Sequence, residues 1–472
     1  MLSVFKINDP YRILLVFVIA IIIQLPIFIS GINITLPEIE WHTLGDKLTS
    51  GGELYVDIYY PVGPLSAQVY RFLSFILPDS YLIYRLLGLV LVIIQAVIFN
   101  VSLINYKAYN QNTYVPSLIY VVLMMGMEDY ITLSPQLMGL TFVILSTNLT
   151  FKLIEGRRRA DEDFLKIGLF SGISILFYPL YIFLILPVVI ALLFFTNTII
   201  RRYLLLVIGT VLPLFLTWLK YYWYGQLEPF YFNLDFLIAF GESITRLTWE
   251  NFLAILIIPA SFFIYSFLRI MQSTGFINYQ VRLQKYYFLY VIFGFLIIFL
   301  DYQKTSHILI VLIPVATFFI SHLFLIIRKT LVSELLFLFF IAMMVLCNYS
   351  ISFNLMQRQG FLNFSYQYLK PENTGSLPDR EKILVLSSDT RKYYGNSLAT
   401  PYLSWVMMEH QVENLDYYDN VISVFENISE DPPDIIYDEY SVMPVILSRI
   451  PELTKMYRKN GDQSYRRITT NR

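Results

Sequence analysis

The sequence predicts an α-helical polytopic membrane protein of about eleven spans, with a small α/β extracytoplasmic domain at its C-terminal end. Three observations predict it. Apolar stretches of near membrane-crossing length recur from Ile13 to Ser352. Charged residues make up 15% of the 472 residues, whereas soluble domains carry about 25%. Beyond about residue 355 the long apolar stretches cease and charge density rises.

The first span falls at about 13–30, with Lys6 and Arg12 on its cytoplasmic flank. Its long apolar core and the lack of a small-residue cleavage site mark it as a retained helix rather than a signal peptide. Further spans are expected near 82–105, 113–129, 132–152, 164–178, 180–198, 203–222, 249–270, 285–300, 307–327 and 331–351. The run 164–198 is too long for one upright helix and is divided at Phe177-Tyr178-Pro179, because proline cannot continue a regular helix.

Basic residues supply an independent check on that division. With eleven spans and a cytoplasmic N-terminus, Lys107, Lys152, Arg157, Arg158, Arg159, Arg201, Arg202, Arg269, Arg282, Lys285, Arg328 and Lys329 all fall on the cytoplasmic side. The opposite short loops hold mainly Lys47, Arg71, Arg246 and Lys304. Merging 164–198 would reverse every later cluster, so the C-terminus is expected outside. The helical spans place the chain in an inner or plasma membrane rather than among outer-membrane barrels.

Two regions lie outside the spans. The loop at about 31–81 holds two helical pieces joined by Gly51-Gly52: Pro37 suits a helix start, Leu36, Ile39, Leu44 and Leu48 form an apolar stripe, and 64–78 is amphipathic enough to lie on a membrane surface. The tail, about 355–472, reads as a separate domain, with a buried strand at Lys382–Asp389, helical patterns, and a short strand at Asp434–Asp438. The organisation is therefore a transmembrane domain, 1–354, followed by the extracytoplasmic domain.

Composition excludes several functions. A formal net charge of -1 offers no field for a polyanion, so nucleic acid is not an expected partner. One cysteine, Cys347, rules out an intrachain disulfide or a CxxC pair, and with only four histidines haem, zinc-protease and copper readings lose most of their ligand supply. P-loop and GxSxG patterns are absent, as are solenoid repeats.

Chemistry concentrates in the first external loop, where Glu38, Glu40, Asp46, Glu53 and Asp57 collect. A carboxylate there can deprotonate a hydroxyl acceptor, which makes Glu38, Glu40 and Asp57 the catalytic candidates. It can also hold a divalent cation such as Mg²⁺ or Mn²⁺ against a lipid phosphate, with Glu38 and Asp57 as candidate ligands. A solvated loop of ordinary acids accounts for the same composition.

The order of Pro37-Glu38, then Gly51-Gly52-Glu53-Leu54-Tyr55-Val56-Asp57, then Gly63-Pro64-Leu65 resembles the first external loop of GT-C glycosyltransferases, which use polyprenyl-phosphate-linked sugars. Arg85 in Tyr84-Arg85-Leu86-Leu87 is similar to the arginine that opens the second span in that superfamily. Lys304, His307 and Pro314 resemble the K-x-x-H-Y-x-L-P-x-x-P segment of its PMT and aminoarabinose-transferase branch, with Ile308 and Val311 departing from it. The other departure is Pro37, which stands where the family commonly carries the acid taken as catalytic base.

The resemblance implies an inverting transferase with a polyprenyl-phosphate sugar as donor and a glycan, lipid or protein acceptor. Lys304, His307 and Arg85 would bind the donor, and Glu38 or Glu40 would serve as base in place of residue 37. Lys304 at a span end is also explained by pairing with Asp301. Pro37 leaves open a noncatalytic scaffold of an envelope-assembly or secretion complex; a transporter is disfavoured by the few charged residues inside the spans.

Other conspicuous residues have simpler readings. Tyr221 to Tyr224 reads as an interfacial aromatic belt whose rings could also stack on sugar faces, Asn348 and Ser350 as polar groups that satisfy one another or a neighbouring helix, Glu128-Asp129 as an outward-facing span end that could also join the cavity, and Met124, Met125 and Met127 as packing. His42, one turn from Glu38, reads as a surface residue with a possible hydrogen bond to that acid.

Overall fold

The computed structural model describes residues 1–472 except 79, 157–159, 239–247, 273–274, 302, 328, 354, 356–367, 370–380 and 469–472. The basic residues Arg157 to Arg159, Arg246 and Arg328, and the stretch expected to open the tail, lie outside the described residues.

Among the described residues, eight helices are long and apolar enough to cross a membrane: Arg12–Ser30, Tyr81–Asn105, Pro135–Glu155, Ile200–Trp223, Glu250–Gln272, Asn278–Leu300, Ser306–Ile326 and Thr330–Ser352. Shorter helices, Val115–Met124, Asp161–Phe177 and Pro179–Phe195, occupy the three other expected positions. The division at Tyr178 is real. That residue is extended, its N–H closes the preceding helix on Ser174 O, and Pro179 opens a 3₁₀ turn. Pro26, Pro213 and Pro259 lie inside spans, where neighbouring helices can satisfy the freed carbonyls.

The chain packs as two compact units. The first comprises Met1–Asn33, Leu82–Trp218 and Thr245–Gln367; the second comprises Ile34–Tyr81, Leu219–Ile244 and Tyr368–Arg472. In the first unit the span Ser306–Ile326 is 83% buried within protein, whereas Ile200–Trp223 is 17% buried, so the former is central and the latter turns its apolar side chains outward. A close approach fixes one part of this packing. A Cβ on Gly88 would lie 1.8 Å from Ile131 O, so only glycine lets the helix Tyr81–Asn105 meet the turn Glu128–Ile131.

The second unit combines the loop after the first span with the tail. Strand β1 (Ile34–Thr35) pairs antiparallel with β2 (Tyr368–Leu369), in register Ile34 to Leu369. Helices Leu36–Thr49 and Pro64–Ile76 pack together, with Trp41 stacked on Tyr70 at 5.8 Å. The second of these turns Ser66, Ala67, Tyr70 and Leu73 inward and exposes Phe72, Phe75 and Ile76, the apolar outer face that a membrane-surface helix carries.

The tail sheet contains β3 (Lys382–Leu386), β4 (Ser397–Leu398), β5 (Ile435–Asp438), β6 (Tyr457–Lys459) and β7 (Ser464–Arg467), in the order β4-β3-β5-β7-β6. Its first three strands are parallel, while β7 runs antiparallel to β5 and β6. Leu384, Leu386 and Ile436 form a core with Met408, Val424 and Ile446. The two expected strands are thus β3 and β5. The other three are too short or too charged to show as apolar runs.

Candidate functional site

In the first unit the site begins at Arg85, whose side chain is only 1% exposed. A buried guanidinium needs partners for its donors. Nη1 donates to Glu128 O at 2.6 Å and Nη2 to Asn33 O at 2.6 Å, while Glu128 Oε1 stands 3.5 Å away in an ion pair. Asn33 completes the group. Its backbone N–H donates to Glu128 Oε1 at 2.9 Å and its amide Nδ2 to Oε2 at 2.8 Å.

The neighbouring acid reaches in another direction. Asp129, also 1% exposed, accepts a short hydrogen bond from Ser306 Oγ. Ser306 opens the central span, and His307 beside it is buried. Thus Arg85, Lys304 and His307 belong to one unit, and the acid pair Glu128-Asp129 links the arginine to the Lys304–His307 segment. Glu128-Asp129 does not end a helix: the preceding helix stops at Met124, the pair opens the 3₁₀ turn Glu128–Ile131, and both carboxylates serve partners from distant parts of the chain. The available signal was two adjacent acids inside an otherwise apolar region.

Lys304 is half-buried, with left-handed backbone at φ +41°. In the loop before it, Asp301 accepts from Tyr178 Oη at 2.8 Å. Burial raises the Asp301 carboxyl to about 6, opposed by that hydroxyl, by the backbone N–H groups of Lys304 and Thr305, and by the Lys304 charge.

The second unit holds the carboxylates of the loop after the first span. Glu38 is buried in a capping box: Thr35 Oγ1 accepts from Glu38 N at 3.3 Å, and Thr35 N donates to Glu38 Oε2 at 3.0 Å. Pro37 sits in the first turn, where a missing N–H costs nothing. Glu40 is 1% exposed and accepts from Tyr60 Oη at 2.9 Å. Asp57 is exposed and accepts from Glu53 N at 2.7 Å, which closes the turn around Tyr55. Glu38 and Asp57, the candidate cation ligands, therefore serve separate local motifs. Among the described residues no group of three or more His, Cys, Asp or Glu side chains is arranged to hold a metal.

Three expectations are corrected. His42 is buried, stacks on Tyr81 at 4.5 Å and directs Nδ1 at Asp46 Oδ2, 3.5 Å away, because the residue one turn onward shares its face. Asn348 accepts from Ser352 Oγ rather than pairing with Ser350, since residues two apart do not face one another on a helix. Tyr221 is buried against Phe230, centroids 4.7 Å apart, while Tyr222, Trp223 and Tyr224 remain exposed.

No protein-family model and no curated protein sequence matches the chain. Among solved structures, the crystal structure of ArnT from Cupriavidus metallidurans bound to undecaprenyl phosphate superposes on 98% of this chain and 99% of its own, with a TM-score of 0.58 and 10% sequence identity. The chain shares the fold of that ArnT structure. At that identity the likeness lies in the backbone path, which runs the full length of both proteins. That fold and the eight long apolar helices make this a multi-pass membrane protein.

Proposed function

We propose that the chain is an integral membrane glycosyltransferase that moves a sugar from a polyprenyl-phosphate donor to an acceptor hydroxyl on the extracytoplasmic side of an inner or plasma membrane. The observation that carries this reading is the full-length fold likeness to ArnT bound to undecaprenyl phosphate. The buried Arg85–Glu128 pair and the Asp129–Ser306 bond beside Lys304 and His307 support it. They give the Lys304 segment a fixed base among apolar spans.

In this reading the acceptor oxygen attacks the anomeric carbon. The bond from that carbon to the phosphate oxygen breaks, and the phosphate leaves with the electron pair. The acceptor proton passes to Glu38 or Glu40, and the configuration inverts. Lys304 and His307 stabilise the charge on the departing phosphate. Arg85 acts as a positioning residue that holds Glu128. The N-terminus is assigned to the cytoplasm and the tail to the outside.

A strain scored for surface glycans tests the proposal with Glu38→Gln, Glu40→Gln, Asp57→Asn and Lys304→Ala at matched membrane abundance. Loss of glycan is expected from Lys304→Ala and from at least one carboxylate variant. The noncatalytic scaffold remains the second reading, favoured by one observation: Glu38 caps a helix while proline occupies the position of the family's acid. Full glycosylation by all four variants, with partner capture lost on deletion of the tail, would select it.

A further inference from the structure

The second unit contains a cleft of about 710 Å³, formed where the end of the helix Leu36–Thr49 and the Gly51-Gly52 turn meet the first strands of the tail sheet. That volume is in the range of small-molecule sites. The cleft has a built floor. Lys47 Nζ donates to Leu398 O at 3.3 Å and to Asp431, and Lys382 Nζ donates to the other Asp431 oxygen at 2.8 Å. Burial alone would raise the Asp431 carboxyl, but the two ammonium groups outweigh it and hold the group below the ordinary carboxylate range.

The wall beside this floor is strained. Thr400 has φ +61°, a left-handed conformation that is strained for a β-branched residue, and it lines the cleft. Its N–H donates to Asp431 O at 3.2 Å, which ties the strained residue to the same floor.

The lining selects a chemistry. The lining carries four acids, Asp46, Asp57, Glu430 and Asp431, against two lysines, Lys47 and Lys382, a formal balance of -2 that disfavours an anionic ligand. Asn396 and Asn427 add amides that both donate and accept, while Val56, Leu398 and Pro401 add apolar surface. Carboxylates and amides bind hydroxyl groups, ammonium groups donate to ring and hydroxyl oxygens, and apolar side chains cover C–H faces. A neutral saccharide presents all three.

We infer that this cleft binds a neutral, hydroxyl-rich saccharide. Its role as the acceptor subsite rests on the transferase reading. Binding itself does not, and the two are tested separately.

The test uses the full chain in nanodiscs, free of maltoside detergent. The probes are maltotriose, mannotriose, triacetylchitotriose and, as an anionic control, maltotriose phosphate; a galactosyl diacylglycerol in the nanodisc separates a lipid-borne source from a soluble one. At least one neutral probe is expected to bind, more tightly than the phosphorylated control. Ser50→Trp places a large ring at the exposed rim and is expected to weaken binding tenfold or more, while Ser50→Thr retains it. Hydrolysis of a polyprenyl-phosphate sugar in the same preparation reports on the transferase reading alone. Donor turnover without neutral-saccharide binding overturns the cleft assignment and leaves the transferase standing. Saccharide binding without turnover supports the cleft and counts against the transferase. Binding of all probes that is indifferent to Ser50→Trp, or a preference for the anionic control or for a bare cation such as Mg²⁺, overturns the assignment.

Discussion

Arg85 and Glu128 form an ion pair at 3.5 Å with both side chains 1% exposed, and two backbone carbonyls take the remaining reach of the guanidinium. Removing one partner leaves an uncompensated buried charge, a loss of about 3–5 kcal/mol, whereas replacing both with apolar residues is often close to neutral. Arg85→Leu and Glu128→Leu are each expected to lower the thermal midpoint of the nanodisc-embedded protein sharply. The double variant should recover part of that loss. Independent, additive losses would show that the pair is not coupled.

Glu38 separates structure from chemistry. Glutamine can take the same third position of a capping box, so Glu38→Gln should leave stability within a few tenths of a kcal/mol of wild type. Glu38→Ala should cost about 1 kcal/mol, a typical value for a lost cap. Denaturation midpoints measured beside donor turnover check this. If Gln destabilises as much as Ala, loss of activity in Glu38→Gln cannot be read as loss of a base.

Asp301 gives a pH dependence of definite sign. Its folded carboxyl lies at about 6, above the ordinary value of 3.8, so the folded protein binds more protons than the unfolded chain between those values. Stability from this group is therefore present below about pH 4 and declines as pH rises through about 6, a change of about 3 kcal/mol. Thermal midpoints at pH 4.5 and pH 7.5 should differ more in wild type than in Asp301→Asn. Equal pH dependence in the two proteins would remove Asp301 as its source.

Gly88 tests the packing that presents Glu128. Since an added Cβ would meet Ile131 O at 1.8 Å, Gly88→Ala must push the turn from the helix, and overpacking of this kind costs about 1–3 kcal/mol or more. Reduced stability together with reduced turnover is expected. Wild-type stability would mean that the approach is looser than described.

Much of the fold is legible because it follows from local rules. Among the described residues a helix lies at the position of each of the eleven apolar segments, and the division at Tyr178-Pro179 follows from proline's missing N–H. Strands β3 and β5 show as apolar runs. The pairing of Ile34–Thr35 with Tyr368–Leu369 is not visible, because two-residue strands carry no periodic signal and their partners lie more than three hundred residues apart. The same holds for Ser306 and Asp129, a bond between residues 177 apart. Thr35 and Glu38 are instructive in another way. Their spacing is a capping-box pattern in plain view, yet a carboxylate next to a membrane draws attention as a base before it is recognised as a cap.

The most direct measurement is the rate at which the purified chain in nanodiscs releases free polyprenyl phosphate from a polyprenyl-phosphate sugar, compared across wild type, Glu38→Gln, Glu40→Gln and Lys304→Ala. The expected result is turnover by wild type, with Lys304→Ala and at least one glutamine variant slowed about 100-fold or more, the range for loss of a general base or of charge stabilisation. Full rates in all three variants, or no release by a well-folded wild type offered a range of donors, would contradict it.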